Sequence, residues 1–411
     1  MTPILVLCPF ELLPLRGGGA LRAFHLLQQL ARYYEVHAVV FQPAAELRRE
    51  TEGYKIPDEV RLYSVRDEPP PVTLLDRIPR GTALKYRWLR RSWRGPADGI
   101  FLQSYHLVER VVRENPIAAA ILYELSAMTA APIVQRIRPG ALRLVDLYNV
   151  NHDLVAQELR RYGCLDPELD RNWRILHWTE HNLQRFVHSF FACSDTDRDV
   201  FQKNCGIPGF TVGNGVDSSF YSFGVHDKNS PVEKLVFTGW MGTKANQDAL
   251  TWFRDELWPA LRRARPSLEL LLVGGGAPPT LARELAALPG VTVTGEVTDV
   301  RPFVRQCRVA AVPLRIGSGT RLKILEAMAQ GTPVVSTSKG ADGLGATHGT
   351  HLLLADDTPS FVRAVLCLLD DDELVGQMRI QARHFVEQTY DWNVIGDTAH
   401  RALQQLMKGS H

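Results

Sequence analysis

The chain has 411 residues, 45% of them hydrophobic and 22% charged, with a formal net charge of +2. This length is enough for two cores of ordinary domain size, and the near-neutral charge argues against a nucleic-acid-coating role. We therefore predict two domains and no nucleic-acid partner. The cysteines show neither metal-type spacing nor the framework of a small secreted protein, which predicts no metal site and a cytoplasmic location.

The first half of the chain begins with alternating strand-like and helical runs. The strand ILVLCPF leads through Gly17, Gly18 and Gly19 into the helical run GALRAFHLLQQLARY and the strand EVHAVVF. This order predicts a parallel sheet crossed by helices. Three amides at a helix start are able to bind a phosphate or a sugar, although any tight turn between a strand and a helix also favours glycine.

A basic segment follows at residues 77–94. Its arginines and one lysine are interleaved with Tyr86, Trp88 and Trp93. Cations mixed with interfacial aromatic residues suit an anionic membrane surface or a lipid diphosphate, whereas a solvated loop or helix face is the usual alternative. No apolar run reaches the roughly 18–20 residues that span a bilayer, so any membrane contact is predicted to be peripheral, at the inner face.

Three polar residues of this half are candidates for binding an acceptor. Asp146 and Asn149 belong to the end of the strand LRLVDLYNVN, where we expect a loop that faces a ligand. Arg22 follows the glycine turn and is able to meet an anionic group. Capping, core hydrogen bonding and solvation are the alternatives for these side chains.

The second half also alternates strands and helices, after a polar stretch at 221–232 that we predict to be a linker. The predicted strands are LVFTG, LELLLVG, VTVTG, VAAVPL and PVVS. Helical runs such as NQDALTWFRDELWPALRRA separate them, which again predicts a parallel sheet.

The run GSGTRLKILEAMAQGTPVV, residues 317–335, is the most informative motif. Gly317 and Gly319 allow a phosphate to approach the backbone, while Ser318 and Thr320 suit the N-cap of a helix that begins near Arg321. Such a helix start attracts anions, and Arg321 and Lys323 add formal charge there. Glu326 lies three residues beyond Lys323 on the same face and is able to bind ribose hydroxyls. The motif predicts a nucleotide diphosphate site, with an ordinary turn, helix and strand as the alternative.

The segment LKILEAMAQGTPVVSTSKGADGL closely resembles the donor-binding stretch of group 1 glycosyltransferases, retaining enzymes of the GT-B fold. The resemblance extends over residues 233–345, through KLVFTGWMGTKANQDALTWF, LELLLVGGGAP and VTVTGEVTDVRPFVRQCRVAAVPLRIGSGTR. It implies an α/β fold in which two Rossmann-like, doubly wound domains face each other across a cleft. Residues 1–222 are then the acceptor-binding domain, with a C-terminal helix at about 388–411 crossing back onto it, and residues 233–387 are the donor-binding domain.

The resemblance also implies roles for individual residues. Glu326 is expected to bind the donor ribose, and the preceding basic residues Arg321 and Lys323 its diphosphate. Further donor contacts are expected from the following residues: Gly239, Lys244, Gly295, Val297 and the loop formed by Gly17, Gly18 and Gly19. A histidine often lies beside the reacting sugar in this family, for which His106, His152 and His25 are the candidates.

One departure from the family pattern concerns the donor sugar. Many members carry two glutamates separated by seven residues, and the first contacts the sugar. Ser318 stands at that place here. The ribose ligand is retained and the usual sugar ligand is not, so the sequence leaves the sugar open.

These features predict a retaining glycosyltransferase that needs no cofactor and takes a nucleotide diphosphate sugar as donor substrate. The acceptor is predicted to be a saccharide or a lipid-linked molecule, in cell-surface polysaccharide or glycolipid synthesis. A sugar-nucleotide epimerase of the same fold and a non-catalytic nucleotide-sugar-binding subunit are the alternatives.

Overall fold

A computed structural model describes residues 1–13, 15, 17–50, 54–68, 97–150, 153, 155–157, 160, 167–224, 233–317 and 319–409, without the side chains of 97–103, 167–172 and 175. The basic segment 77–94, His152, Ser318 and linker residues 225–232 lie outside these ranges. The chain forms two compact units. The first unit comprises Met1–Asn214 with Ile395–His411, and the second comprises Gly215–Val394.

The first unit is built on a parallel sheet of seven strands in the order β3-β2-β1-β4-β5-β6-β7. The strands are β1 Thr2–Leu7, β2 Tyr34–Val40, β3 Arg61–Ser64, β4 Ala119–Tyr123, β5 Leu142–Leu147, β6 Ser189–Ala192 and β7 Gly209–Thr211. The central strands β4 and β5 are buried along their whole length, as expected when helices cover both faces of a parallel sheet.

Helices connect these strands as the alternating pattern predicted. The helices are α1 Gly18–Ala31, α2 Ala44–Arg48, α3 Ala97–Glu114, α4 Glu124–Ala127, α5 Ala131–Ile137, α6 Pro167–His181 and α7 Asp195–Cys205, with 3₁₀ turns at Met128–Ala130 and Leu183–Arg185. The strand order reverses between β1 and β4, where Ile4 pairs with Ala119. Ligands of open parallel sheets bind beyond the carboxyl ends of the strands at such a reversal.

The second unit contains a parallel sheet of six strands in the order β10-β9-β8-β11-β12-β13. The strands are β8 Lys234–Thr238, β9 Glu269–Val273, β10 Val291–Gly295, β11 Val309–Val312, β12 Val334–Ser336 and β13 Leu353–Leu354. Its order reverses between β8 and β11. The predicted strands LVFTG and VAAVPL therefore end on the two sides of the reversal.

The helices of the second unit pack against this sheet around a core that includes Phe237, Phe253, Trp258 and Phe361. They are α8 Lys244–Trp252, α9 Trp258–Ala264, α10 Pro279–Ala286, α11 Arg301–Arg305, α12 Leu322–Gln330, α13 Thr358–Asp370 and α14 Asp372–Thr389, with a π-helical turn at Phe253–Leu257 between α8 and α9.

The start of α12 differs from the prediction. Arg321 is the N-cap residue, and no side chain caps the helix, so Thr320 does not act as the predicted N-cap. Thr320 is instead buried, with 7% of its surface exposed. The helix end follows the prediction, since Gly331 adopts the left-handed conformation with φ 76°.

The last helix, α15 Trp392–Gly409, packs on the first unit from Ile395 onward. The Tyr33 hydroxyl donates a hydrogen bond of 2.6 Å to Asp397, and the ring of His400 stacks on Tyr33 at 3.9 Å. Within the described ranges, no helix is long and apolar enough to cross a membrane.

Candidate functional site

The side chain of Lys323, in the first turn of α12, is held at the end of β8. Its ammonium donates a hydrogen bond of 2.9 Å to Asn246 Oδ1 and lies 3.9 Å from the centre of the Phe237 ring. A Cβ atom on Gly239 would lie only 2.9 Å from Lys323 Nζ, and Gly239 has φ 132°. Glycine is therefore required at position 239 by backbone conformation and by the close approach of the ammonium.

The environment of Lys323 disfavours its positive charge. Burial, together with the neighbouring charge of Arg321, lowers the pKa of this ammonium to about 7, whereas Glu326 acts in the opposite direction. Because burial and Arg321 disfavour the charged form of Lys323, a bound anion would stabilise that form.

The glycine turn before α12 brings a second cation close to Lys323. Gly317 has φ 136°, and a Cβ atom there would overlap the guanidinium of Arg321. The chain therefore folds so that Arg321 packs against the backbone of its own turn. Gly319 also has a positive φ, 74°, a conformation that glycine adopts without strain.

Glu326 is half-buried one turn beyond Lys323. Burial raises the pKa of its carboxyl group, while a hydrogen bond from the side chain of Tyr221 and the charge of Lys323 lower it. A carboxylate held this way retains acceptor capacity for hydroxyl groups. We call the following set the α12 site: Gly239, Asn246, Gly317, Arg321, Lys323 and Glu326.

Three glycines form a row at the carboxyl ends of β8, β9 and β10. They are Gly239, Gly274 and Gly295. A Cβ atom on Gly274 would overlap the carbonyl of Gly239, and the Gly274 amide donates to Gly295 O at 3.1 Å. Val297, two residues beyond, is half-buried and packs against the core. Lys244 is exposed as the first residue of α8 and follows its N-cap, Thr243.

Trp240 lies beside the α12 site with 58% of its surface exposed. Cβ atoms on Gly242 and Gly276 would each lie 2.5 Å from its indole, and a Cβ on Gly275 would lie 3.1 Å from both the indole and Glu296. The indole therefore rests on glycine backbone and leaves much of its surface exposed. Neither Trp240 nor Asn246 was predicted as a site residue, because the sequence marks them only by their place after the first strand of the second unit.

In the first unit, the predicted glycine loop begins α1. Gly17 is the N-cap residue with φ 102°, and both Gly17 and Gly18 are exposed. A Cβ atom on Gly19 would lie 2.8 Å from the hydroxyl oxygen of Tyr148. Tyr148 follows β5, so the start of α1 and the end of β5 meet at this position, which nothing in the sequence pattern indicated.

Arg22 and Asp146, predicted as acceptor contacts, are fully buried and bind each other. Arg22 Nη2 lies 2.8 Å from Asp146 Oδ1, and Arg22 Nη1 donates to Gly213 O at 2.7 Å and to Asn214 Oδ1 at 3.1 Å. The exposed fraction of each side chain is 0%. The pair thus joins α1 to β5 and to the end of β7, and neither residue presents a polar atom to a ligand here.

The other acceptor candidates are separated in the fold. His106 lies in α3, where Nε2 is 3.0 Å from the Glu68 carbonyl oxygen beyond β3. Asn149 is half-buried just after β5, near the ends of the central strands. The structure therefore places Asn149 beyond β5, the strand that pairs with β4, whereas His106 belongs to the β3 side of the unit.

The part of the chain that carries the α12 site matches a known family model. Residues 232–371 match the family model described as Glycosyl transferases group 1. This match confirms the resemblance predicted from the sequence, and its range includes every residue of the α12 site.

Two curated relatives are a glycogen synthase and a mannosyltransferase. The glycogen synthase of Mycobacterium tuberculosis is 26% identical over 285 residues, 66% of this chain and 66% of the relative. The GDP-mannose-dependent monoacylated alpha-(1-6)-phosphatidylinositol monomannoside mannosyltransferase of Corynebacterium glutamicum is 27% identical over 269 residues, 60% of this chain and 65% of the relative. The matches span just under two thirds of the length of these relatives, whose names support the predicted transferase class.

A solved structure extends the likeness to nearly the whole chain. Anabaena HepE, in complex with UDP and glucose, aligns with a TM-score of 0.68 at 16% identity, covering 98% of this chain and 100% of that protein. With the two parallel sheets, this likeness confirms the predicted fold class, GT-B with two Rossmann-like domains.

Proposed function

We propose that this chain, whose residues 232–371 form a group 1 glycosyl transferase domain, transfers a sugar from a nucleoside diphosphate donor to an acceptor with retention at the anomeric carbon. The observation that carries the proposal is the α12 site. There a lysine ammonium is fixed between Asn246 and Gly239, at a helix start and one turn before a half-buried glutamate.

The chemistry of the donor suits this arrangement. As the bond from the anomeric carbon to the diphosphate breaks, negative charge develops on the diphosphate. Lys323, Arg321 and the amides that begin α12 stabilise that charge without reorganising, which is the usual source of electrostatic catalysis. Glu326 accepts hydrogen bonds from the ribose hydroxyls and so positions the diphosphate against the cations.

The nucleobase is expected beyond Gly295 and Val297, on the side of the indole of Trp240. An exposed aromatic face beside the diphosphate site is able to stack on any base, which contributes about 1–3 kcal/mol per base in other proteins. HepE was solved with UDP and glucose, which supports a nucleoside diphosphate sugar as the donor class here and leaves the base to measurement.

The acceptor is proposed to be a saccharide or a lipid-linked saccharide. The relatives named as a glycogen synthase and as a phosphatidylinositol monomannoside mannosyltransferase act on these two kinds of acceptor by name. Peripheral membrane contact through residues 77–94 remains a prediction from the sequence.

A titration with nucleotides tests the donor site. UDP, GDP, ADP and dTDP are added to the purified protein, and melting temperature and affinity are measured. A ligand at 100 times its Kd adds about 2.7 kcal/mol of stability, a rise of roughly 5–10 °C for a unit of this size. Glu326→Gln should weaken the best nucleotide by about 1.5–3 kcal/mol, because a charged hydrogen-bond acceptor is lost.

Two controls make this titration specific. Glu373→Gln, at an exposed carboxylate near the start of α14, should leave the affinity unchanged. Inorganic pyrophosphate lacks the ribose, so Glu326→Gln should change its affinity less than the affinity of the best nucleotide. If no nucleotide binds the folded protein, the proposed function is wrong. Binding with interconversion of the donor sugar would favour an epimerase, and binding without turnover a non-catalytic subunit.

A further inference from the structure

The backbone of the first unit adopts an unusual conformation at Glu124. Among the described residues other than glycine, Glu124 is the one with a positive φ, 63°. A non-glycine residue in this region strains the backbone, and such residues cluster at ligand and active sites. Glu124 directly follows β4, one of the two strands between which the order of the sheet reverses.

The carboxylate of Glu124 is half-buried, and within the described ranges no hydrogen bond to it is found. Burial, with a contribution from the charge of Asp146, raises the pKa of this carboxyl group to about 7. Asp146 is neutralised by Arg22, whose hydrogen bonds go to Asp146, Gly213 O and Asn214 Oδ1 and not to Glu124. A partly desolvated carboxylate without a donor is costly, so a ligand hydroxyl would stabilise it.

A second polar group without a partner lies at the end of the same strand. The hydroxyl of Tyr123 is buried and has no hydrogen-bond partner among the described residues, although the great majority of buried hydroxyl groups have one. The ring of Phe10, just beyond β1, meets the ring of Tyr123 edge-on at 6.5 Å. Tyr148, which follows the neighbouring strand β5, packs against Gly19 of α1.

The segments that follow β1, β4 and β5 therefore combine aromatic side chains with a few polar groups, the composition of small-molecule sites. The following residues contribute: Phe10, Gly19, Tyr123, Glu124 and Tyr148. All belong to the first unit and lie outside residues 232–371, the range of the family match.

We propose that Glu124 is the acceptor-binding carboxylate, which accepts a hydrogen bond from a hydroxyl group of the saccharide that receives the sugar. This assignment rests on the proposed transfer. Arg22 and Asp146 then act as positioning residues, because they join α1 to β5, the strand that pairs with β4 at Tyr123. This role explains the strained conformation of Glu124. Glycine would adopt φ 63° with less strain, but it carries no carboxylate.

Binding of simple glycosides tests the assignment even while the natural acceptor is unidentified. Methyl glycosides of glucose, galactose and mannose represent free saccharides, and the matching octyl glycosides represent lipid-linked ones. Affinities are measured by saturation-transfer NMR for the parent protein, Glu124→Gln and Glu124→Gly. Glu114→Gln, which changes an exposed carboxylate at the end of α3, is the matched control.

At least one glycoside should bind the parent and Glu114→Gln, with an affinity at least tenfold lower in Glu124→Gln and Glu124→Gly. Glu124→Gly relieves the positive φ, so its melting temperature should equal or exceed that of the parent. Nucleotide affinity should be the same in all four proteins. Once a donor is known, Glu124→Gln should raise the KM for the glycoside and leave the KM for the donor unchanged.

Equal glycoside affinity in the parent and Glu124→Gln, or no glycoside binding in the parent, would overturn the assignment. A large loss of melting temperature in Glu124→Gly would also overturn it, because the glutamate would then be structural. Failure of the proposed function appears separately, as a parent protein that binds no nucleotide.

Discussion

Lys323 makes nucleotide binding depend on pH in a predictable direction. Burial lowers the pKa of its ammonium from 10.5 to about 7, so above pH 7 the protein without nucleotide carries a neutral amine. A bound diphosphate favours the charged form and raises this pKa. Binding above pH 7 must therefore take up a proton, and the affinity should fall as the pH rises.

The magnitude follows from the pKa. A change from 10.5 to about 7 corresponds to roughly 5 kcal/mol by which the surroundings disfavour the charge, at about 1.4 kcal/mol per factor of ten. If the diphosphate restores the pKa above 9, each pH unit between 7 and 9 weakens binding by up to tenfold. The affinity should then decrease by up to roughly 100-fold across this range.

Isothermal titration calorimetry between pH 7 and 9 measures both quantities. The nucleotide is the tightest-binding one of the panel, and the range starts at pH 7 because terminal phosphates titrate near pH 6. Two buffers with different ionisation enthalpies give the number of protons taken up, which should approach one at pH 8.5. Lys323→Arg is the control, since a guanidinium stays charged and its affinity should not depend on pH here.

Two results would refute the reasoning. An affinity of the parent protein that does not change with pH, with no proton uptake, would mean that the diphosphate does not contact a neutralised Lys323. The same pH dependence in Lys323→Arg would show that another group titrates at the site.

Two further substitutions test the framework around the sites. Arg22→Met should lower the free energy of unfolding by about 3–5 kcal/mol in urea titrations, because it leaves Asp146 buried and unpaired. A stability equal to the parent would contradict this. Adding Asp146→Leu to the variant should recover part of the loss. Gly239→Ala should lower nucleotide affinity at least tenfold, since φ 132° and a Cβ atom 2.9 Å from Lys323 Nζ displace the ammonium. Gly376→Ala, within α14 and with open space around its Cβ, should instead keep the affinity and be neutral or stabilising; equal affinity in both alanine variants would argue against a role for Gly239.

The pattern of strands and helices could be predicted from the sequence because it depends on local properties. Short apolar strands such as LVFTG and LELLLVG, separated by amphipathic runs, have one compact arrangement, a parallel sheet with helices on both faces. The position of the α12 site could also be predicted, since Gly317, Lys323 and Glu326 belong to one glycine turn and the helix that directly follows it. The helix begins at Leu322, next to the predicted Arg321, but the N-cap differs from the prediction, because Arg321 takes that position in place of Ser318 or Thr320.

Contacts between distant segments could not be predicted in this way. Asn246 and Lys323 are 77 positions apart in the sequence, and Arg22 and Asp146 are 124 positions apart. The sequence therefore did not show that Arg22 and Asp146 bind each other rather than a ligand. The pKa of Lys323 and the positive φ of Glu124 likewise depend on what packs around them. The element order, the family pattern and the local nucleotide motif thus follow from neighbouring residues of the sequence. Which polar groups are paired follows from the folded chain, because burial and charge pairing depend on residues that the fold brings together from far apart.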